Sequence, residues 1–343
     1  MSKAVNLFYR FLELLLILLL SWFLTGRMRR YALARSLLDI PNGRSSHSVP
    51  TPRGGGVALV LAFLLALPWL AYRGGLDSAV MWAMLGSGSG VAALGLLDDH
   101  GHIPPRWRLL GHFAAAGWAL YWLGGMPPVE VMGASLDLGW LGHGLAALGL
   151  VWLLNLYNFM DGIDGIASVE ALAVCLGGAL LYAVSGHGEL LWAPLALACA
   201  VLGFLYWNVP PARIFMGDAG SGFLGMVLGV MLLQAAWVSS ELLWAWLILL
   251  GVFVVDATLT LVRRLLGGER VHEAHRSHAY QHAARRYGGH LPVTLGAALL
   301  NLCWLLPIAL WVVLGGLDGL AGLMLAYIPL LGLAWKLRAG VAD

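Results

Sequence analysis

Long apolar runs separated by short polar loops make up most of the chain. Windows of mostly apolar residues lie near 6–25, 54–72, 79–97, 109–124, 143–159, 166–185, 190–207, 219–236, 241–262, 292–313 and 316–336. Each approaches the roughly 20 residues a helix needs to cross the hydrocarbon layer, although several are short or interrupted by Gly. Helix is the expected element throughout, because in lipid each backbone polar group must find its partner within its own segment. The pattern predicts an all-α polytopic membrane protein with about 11 transmembrane helices, as a single integral membrane domain over 1–343 whose core motifs fall in 40–290.

Charge then orients the array. If residues 26–53 face the cytoplasm, so do 98–108, 160–165, 208–218, 263–291 and the C-terminal tail, and that side holds 17 of the 20 Lys and Arg. The remaining three are Lys3, Arg10 and Arg73. By the positive-inside rule the N-terminus faces outward and the C-terminus is cytoplasmic. Lys3 and Arg10 ahead of Leu14–Leu20 resemble a signal peptide, but Arg27-Met-Arg-Arg30 follows where a cleavage site would be, so a retained first span is expected.

Composition agrees with the membrane reading. The chain is 60% hydrophobic and 11% charged, against about 25% charged in average soluble domains. A net charge of +2 gives no reason to expect a nucleic-acid partner. Cys175, Cys199 and Cys303 sit inside apolar runs and read as buried hydrophobes, not as disulfide or metal ligands.

Polar groups beside such apolar runs are costly unless they line water, an ion or a substrate. The run Asn155-Leu-Tyr-Asn-Phe-Met-Asp-Gly-Ile-Asp-Gly165 carries Asn155 and Asn158 on one helical face, then Asp-Gly turns at Asp161 and Asp164. Asp98 and Asp99 end another span. Adjacent carboxylates raise each other's proton affinity unless a cation compensates, and magnesium, a hard ion satisfied by one or two carboxylates plus phosphate oxygens, suits them. Asp218, within Phe215-Met-Gly-Asp-Ala-Gly-Ser-Gly222, can complete such a site. The plainer readings are a capped helix end and an N-capping turn.

Two basic segments complete the set. Asn42 to Gly56 carries Arg44, Arg53, a His and a Gly run, suited to phosphate contacts but also to be expected in any positive-inside loop. His272, His275, His278 and His282 share a face if helical, with Arg270, Arg276, Arg285 and Arg286 nearby. Zinc is one reading, disfavoured by the Arg residues; diphosphate binding and an amphipathic helix on acidic lipid are the others. Carboxylates for a metal together with cations around a diphosphate is the arrangement phosphoryl transfer requires.

Asp98-Asp99, Asn155 to Gly165, Phe215-Met-Gly-Asp218 and the His-rich last loop, in this order, resemble the polyprenyl-phosphate N-acetylhexosamine-1-phosphate transferase superfamily (glycosyltransferase family 4). That superfamily includes the phospho-MurNAc-pentapeptide translocase. Arg44 to Gly56 and His275-Arg-Ser-His-Ala-Tyr-Gln281 look closest to its O-antigen-initiating, lipopolysaccharide-synthesising branch. The resemblance implies a Mg2+-dependent enzyme of the bacterial inner membrane, with Mn2+ as the alternative metal. It would transfer HexNAc-1-phosphate from a UDP-HexNAc donor to undecaprenyl phosphate and release UMP. Catalytic roles would fall to Asp98, Asp99 and His278, and substrate contacts to Asn158, Asp161, Asp164, Phe215, Arg276, Arg44 and Arg106. Asp218, Asp98, Asp99 and Asp164 would hold the metal. Where related branches carry His-x-His-His, this chain reads His278-Ala-Tyr-Gln281, and Arg106 and Arg108 stand where many relatives have Lys. A cytoplasmic cleft ringed by Asp98, Asp99, Asp164, Asp218 and His278 is expected. A lipid flippase or transporter is the rival reading, opposed by the lack of an inverted repeat and by polar groups gathered at one face; a metal-binding regulatory protein is the third. Gly-rich spans leave a homodimer open.

Overall fold

The computed structural model describes residues 3–41, 49–101, 103–269 and 275–341. Arg44, Arg270 and His272 lie outside the described residues. Each apolar window falls on a helix or on consecutive helical segments, in the order α1 (Lys3–Ala34), α2 (Gly56–Tyr72), α3 (Ser78–Gly101), α4 (Pro105–Leu123), α5 (Gly139–Met160), α6 (Ile166–Val184), α7 (Trp192–Asn208), α8 (Asp218–Val238), α9 (Ser240–Leu249), α10 (Gly251–Leu266), α11 (Ala279–Arg286), α12 (His290–Leu300), α13 (Leu306–Val313) and α14 (Gly319–Lys336). Among the described residues eight helices are long and apolar enough to cross a membrane, or nine if the bent pair α9–α10 is one span. An expected count of about eleven would also require the shorter α2 and the less apolar α4 to cross. The protein is a multi-pass membrane protein.

Two pieces of strand were not anticipated. Leu38–Asp39 (β1) pairs antiparallel with Thr51–Pro52 (β2), and Val129–Val131 (β3) with Ala134–Leu136 (β4). Met132 and Gly133, both at positive φ, make the tight β3–β4 turn, the backbone combination that matches strand twist in a two-residue hairpin.

Helix α8 is the axis of the bundle. Every residue from Ala219 to Ala236 is buried, and α2, α3, α4, α5, α6 and α9 all pack on it. Lipid supplies no hydrophobic drive between helices, so close backbone approach at small residues has to hold them. A Cβ on Gly95 of α3 would stand 2.5 Å from the Ala219 amide nitrogen, and one on Gly56 of α2 would stand 2.6 Å from Gly220 Cα. Gly225 meets the Leu153–Leu154 backbone of α5 in the same way. These contacts draw the ends of α2, α3 and α5 around the N-terminus of α8.

The other organising feature is the break between α9 and α10. The two helices are bent by 69°, and α10 carries Asp256 to the N-terminus of α11. Further on, the α12–α13 run is widened by a π turn over Asn301–Leu305. There Asn301 Nδ2 donates to Glu170 Oε2 at 2.6 Å, in the middle of the bundle.

Candidate active site

A cavity of about 240 Å³ opens at the end of the bundle where α3, α5 and α7 terminate and α8 begins. Asp99 comes from the last turn of α3, Asp161 and Asp164 from the α5–α6 turn, and Asp218 from the first turn of α8; all four line it. Arg53, Asn158, Phe215, Ser221, Gln281 and His290 share its wall. With Asp39 from β1, carboxylates from four distant stretches of chain thus meet in one place.

The loops that carry them are tied together by backbone. The Phe215 amide donates to Pro52 O at 2.8 Å, and Gly55 and Gly56 amides donate to Phe215 O and Met216 O. The segment after β2 therefore runs beside the loop before α8 and brings Arg53 to Asp99, with Nη2 donating to the Asp99 carbonyl at 2.6 Å and Nη1 3.9 Å from Oδ1. Gly217 has φ +79°, and a Cβ there would stand 3.0 Å from Asp99 Oδ2, so glycine both adopts the turn and makes room for the carboxylate.

Asp164 is fixed more firmly than its neighbours. One carboxylate oxygen accepts from the Ala212 amide at 3.0 Å, the other lies 3.2 Å from His290 Nδ1, and its carbonyl accepts from Thr294 Oγ1. Buried Asn208 braces the same turn, accepting from the Gly165 amide and donating to Ile214 O, both at 3.0 Å. Asn158 Nδ2 donates to Ser221 Oγ at 3.2 Å, joining α5 to α8. Burial, then the charges of Asp218, Asp164 and Asp99, push the Asp161 carboxyl well above the usual carboxylate range.

Other residues singled out from the sequence stand around this cavity and not in its wall. Asp98 Oδ1 accepts from the Ile103 amide at 2.7 Å and Oδ2 pairs with Arg108, so Asp98 closes the α3–α4 connection. Arg106 is exposed beside Trp107, and Arg276 is exposed with its carbonyl accepting from Arg285. His278 is buried, with Nδ1 3.3 Å from Asp256 Oδ1. Its ring stacks between those of His275 and Tyr280, at centroid distances of 4.9 and 5.6 Å. Of the expected ring, Asp99, Asp164 and Asp218 come together with Asp161, while Asp98 and His278 sit one layer behind.

Asp256, like Asn208 and His290, does not stand out in the sequence. Its carboxylate accepts from the amides of Ala279 at 2.9 Å and Tyr280 at 3.0 Å, and from Thr260 Oγ1. A carboxylate on the first free amides of a helix offsets both unsatisfied donors and dipole. The capped helix α11 then points Tyr280 Oη at Phe159 O, a 3.0 Å donation, and Gln281 into the cavity. Behind the cavity, α3, α4, α5 and α8 enclose a small cleft where Arg108, His112 and Asn155 meet Asp218; buried His112 Nδ1 has no hydrogen-bond partner among the described residues.

Five carboxylates, Asp39 with Asp99, Asp161, Asp164 and Asp218, face one arginine and one histidine across the cavity, an excess of negative charge that suits a divalent cation. Among the described residues no three His, Cys, Asp or Glu side chains converge into a ready-made metal site. That donor set fits a hard ion held by one or two carboxylates and completed by phosphate oxygens, with Asp218 and Asp99 as the candidate ligands in the cavity lining.

The chain is similar to known proteins over most of its length. The sequence profile of glycosyl transferase family 4 matches residues 81–236, from α3 to α8. The decaprenyl-phosphate N-acetylglucosaminephosphotransferase of Mycolicibacterium smegmatis is 32% identical, over 78% of this chain and 75% of the relative. A probable undecaprenyl-phosphate N-acetylglucosaminyl 1-phosphate transferase of Bacillus subtilis is 28% identical, over 81% and 77%. The phospho-N-acetylmuramoyl-pentapeptide-transferase of Moorella thermoacetica is 35% identical, over 66% and 73%. The chain is an enzyme and belongs to glycosyl transferase family 4.

Proposed function

We propose that this protein transfers N-acetylhexosamine-1-phosphate from a UDP-HexNAc to undecaprenyl phosphate, releasing UMP and leaving a diphosphate-linked lipid. A phosphate oxygen of the acceptor forms the new bond to the sugar-bearing phosphorus, and the bond from that phosphorus to the UMP oxygen breaks. The observation that carries this reading is the convergence of Asp99, Asp161, Asp164 and Asp218 on one cavity where membrane-crossing helices end. A water-soluble nucleotide and a lipid phosphate can meet only at such a boundary.

The protein's part is positioning and charge. Asn158, Asp161 and Asp164 hold the nucleoside end, with Phe215 on the same wall placed to stack on uracil. Asp99 orients the acceptor phosphate, and Arg53 offsets its charge. Asp98 acts through Arg108, which reaches the cleft beside Asp218. His278 acts by seating α11, and exposed Arg276 approaches the diphosphate from outside. Mg2+, or Mn2+ in its place, when bound at Asp218 and Asp99 supplies electrostatic relief for the crowded phosphates. Cell-envelope polysaccharide initiation at the inner membrane follows from such a product; segments 44–56 and 275–281 favour the O-antigen branch.

The test is direct. Purified protein given radiolabelled UDP-GlcNAc, undecaprenyl phosphate and Mg2+ should yield solvent-extractable label and equimolar UMP. A panel with the 6-deoxy sugars FucNAc and QuiNAc, read by product mass, assigns the sugar. No UMP release from any UDP-HexNAc would overturn the reading.

A further inference from the structure

Helix α11 presents three different surfaces. Gln281 faces the catalytic cavity, whereas Ala279, Tyr280 and Ala283 face a separate apolar cavity of about 280 Å³. The latter is walled by α10, α12 and α14, through residues such as Val293, Ala297, Leu300 and Leu333. On the third side His282, Arg285 and Arg286 face Lys336, Leu337 and Arg338 across an open concavity of about 390 Å³. Leu337 belongs to the walls of both, so the cationic concavity and the apolar cavity adjoin.

Among the described residues, no carboxylate lines the concavity. His282 Nε2 lies 3.1 Å from Val341 O, and its Nδ1 lies 2.9 Å from Arg285 Nη2, which also donates to Arg276 O at 3.2 Å. His282 and Arg285 thus brace the wall, and exposed Arg286, Lys336 and Arg338 bring the charge. The positive-inside rule accounts for basic residues at this end of the bundle. It does not account for cations from two helices converging on one hollow, nor for the hydrocarbon-lined hollow beside it.

We infer that this surface binds one anionic phospholipid, its headgroup phosphate among Arg286, Lys336 and Arg338 and an acyl chain in the apolar cavity. Lipid solvent gives a chain no reason to leave the bilayer for a protein groove, so the headgroup charge must select the ligand. Tyr280 and the Asp256 side chain separate this groove from the catalytic carboxylates, so the bound phosphate is not a reacting one. The bound lipid would steady α11, which holds the Asn158–Asp164 turn through Tyr280 Oη.

The test uses the full chain in nanodiscs and reads binding, not turnover. Phosphatidylglycerol should be retained in native mass spectra in preference to phosphatidylcholine, and added phosphatidylglycerol should slow hydrogen exchange over 277–286. The variant R286Q/K336Q/R338Q should lose that retention by roughly tenfold or more, while R286K/K336R/R338K keeps it, which separates lost charge from misfolding. Equal retention of the two lipids by the native chain, or undiminished phosphatidylglycerol on the neutralised variant, would overturn the proposal. So would retention of undecaprenyl phosphate in place of phosphatidylglycerol.

Discussion

Asp98 and Asp99 are neighbours in sequence with different surroundings, and that difference is testable. Asp99 lines the cavity, whereas Asp98 is spent on Arg108 and the Ile103 amide. If Asp98 works through Arg108, then D98N and R108Q each lower turnover by a similar factor, about 10–100-fold, and the double variant is no worse than either single one. Coupled residues behave in that non-additive way; multiplied losses in a double-mutant cycle would mean independent roles. His275 allows a pH prediction. Burial, His278 and Arg264 push its imidazole down to about 3, so between pH 6.5 and 3 the unfolded chain binds a proton that the folded chain refuses. Stability therefore falls as pH drops through that window. H275Q should remove part of this loss, so the difference in Tm between variant and native protein should shift in favour of the variant from pH 7 to pH 4. A pH-independent difference would show that His275 is protonated equally in both states.

At the scale of elements, α11 depends on a residue from another helix. Eight residues make a marginal helix by themselves, and Asp256 receives two of its free amides. D256N keeps one acceptor oxygen and loses the charge, which should cost about 1–2 kcal/mol. Hydrogen exchange over 279–286 should quicken, and KM for the nucleotide sugar should rise more than kcat falls, because Gln281 reaches the cavity, and Tyr280 Oη reaches Phe159 O beside it, only from a seated α11. Unchanged exchange in D256N would remove the capping role. The same element shows what was readable from sequence. Asp98, Asp99, Asp161, Asp164 and Asp218 stood out because each is a carboxylate at the end of an apolar run, where charge needs a reason. Asp256 lies inside such a run, and its partner amides are more than twenty residues later; no periodicity links a side chain to the N-terminus of a later helix. Asn208 and His290 were invisible for the same reason, since their hydrogen bonds span the α6–α7 hairpin and more than a hundred residues respectively. The β3–β4 hairpin escaped notice because three-residue strands carry too little alternation to detect.

The whole molecule sets the relation between site and bilayer. Helical windows were legible because hydrocarbon imposes one solution on the backbone; that α8 would be the buried axis was not, since its sequence is no more apolar than its neighbours'. What distinguishes α8 is the glycine set that lets α2, α3 and α5 approach it, and closeness of backbones is a property of pairs. The site cavity, α11 and the cationic concavity all lie at one end of this bundle, and the β3–β4 hairpin joins helices α4 and α5 away from them. The excess of Lys and Arg on the site's side predicts that it faces the cytoplasm. In a background with Cys175, Cys199 and Cys303 replaced by Ser, a D137C variant should react with a membrane-impermeant maleimide in intact cells. An R338C variant should react only after the membrane is opened. Both residues are exposed, so access to the reagent, not burial, decides the result. Labelling of R338C but not D137C in intact cells would invert the protein and detach the cavity from the nucleotide-sugar pool, because UDP-sugars are cytosolic and charged molecules do not cross the bilayer unaided.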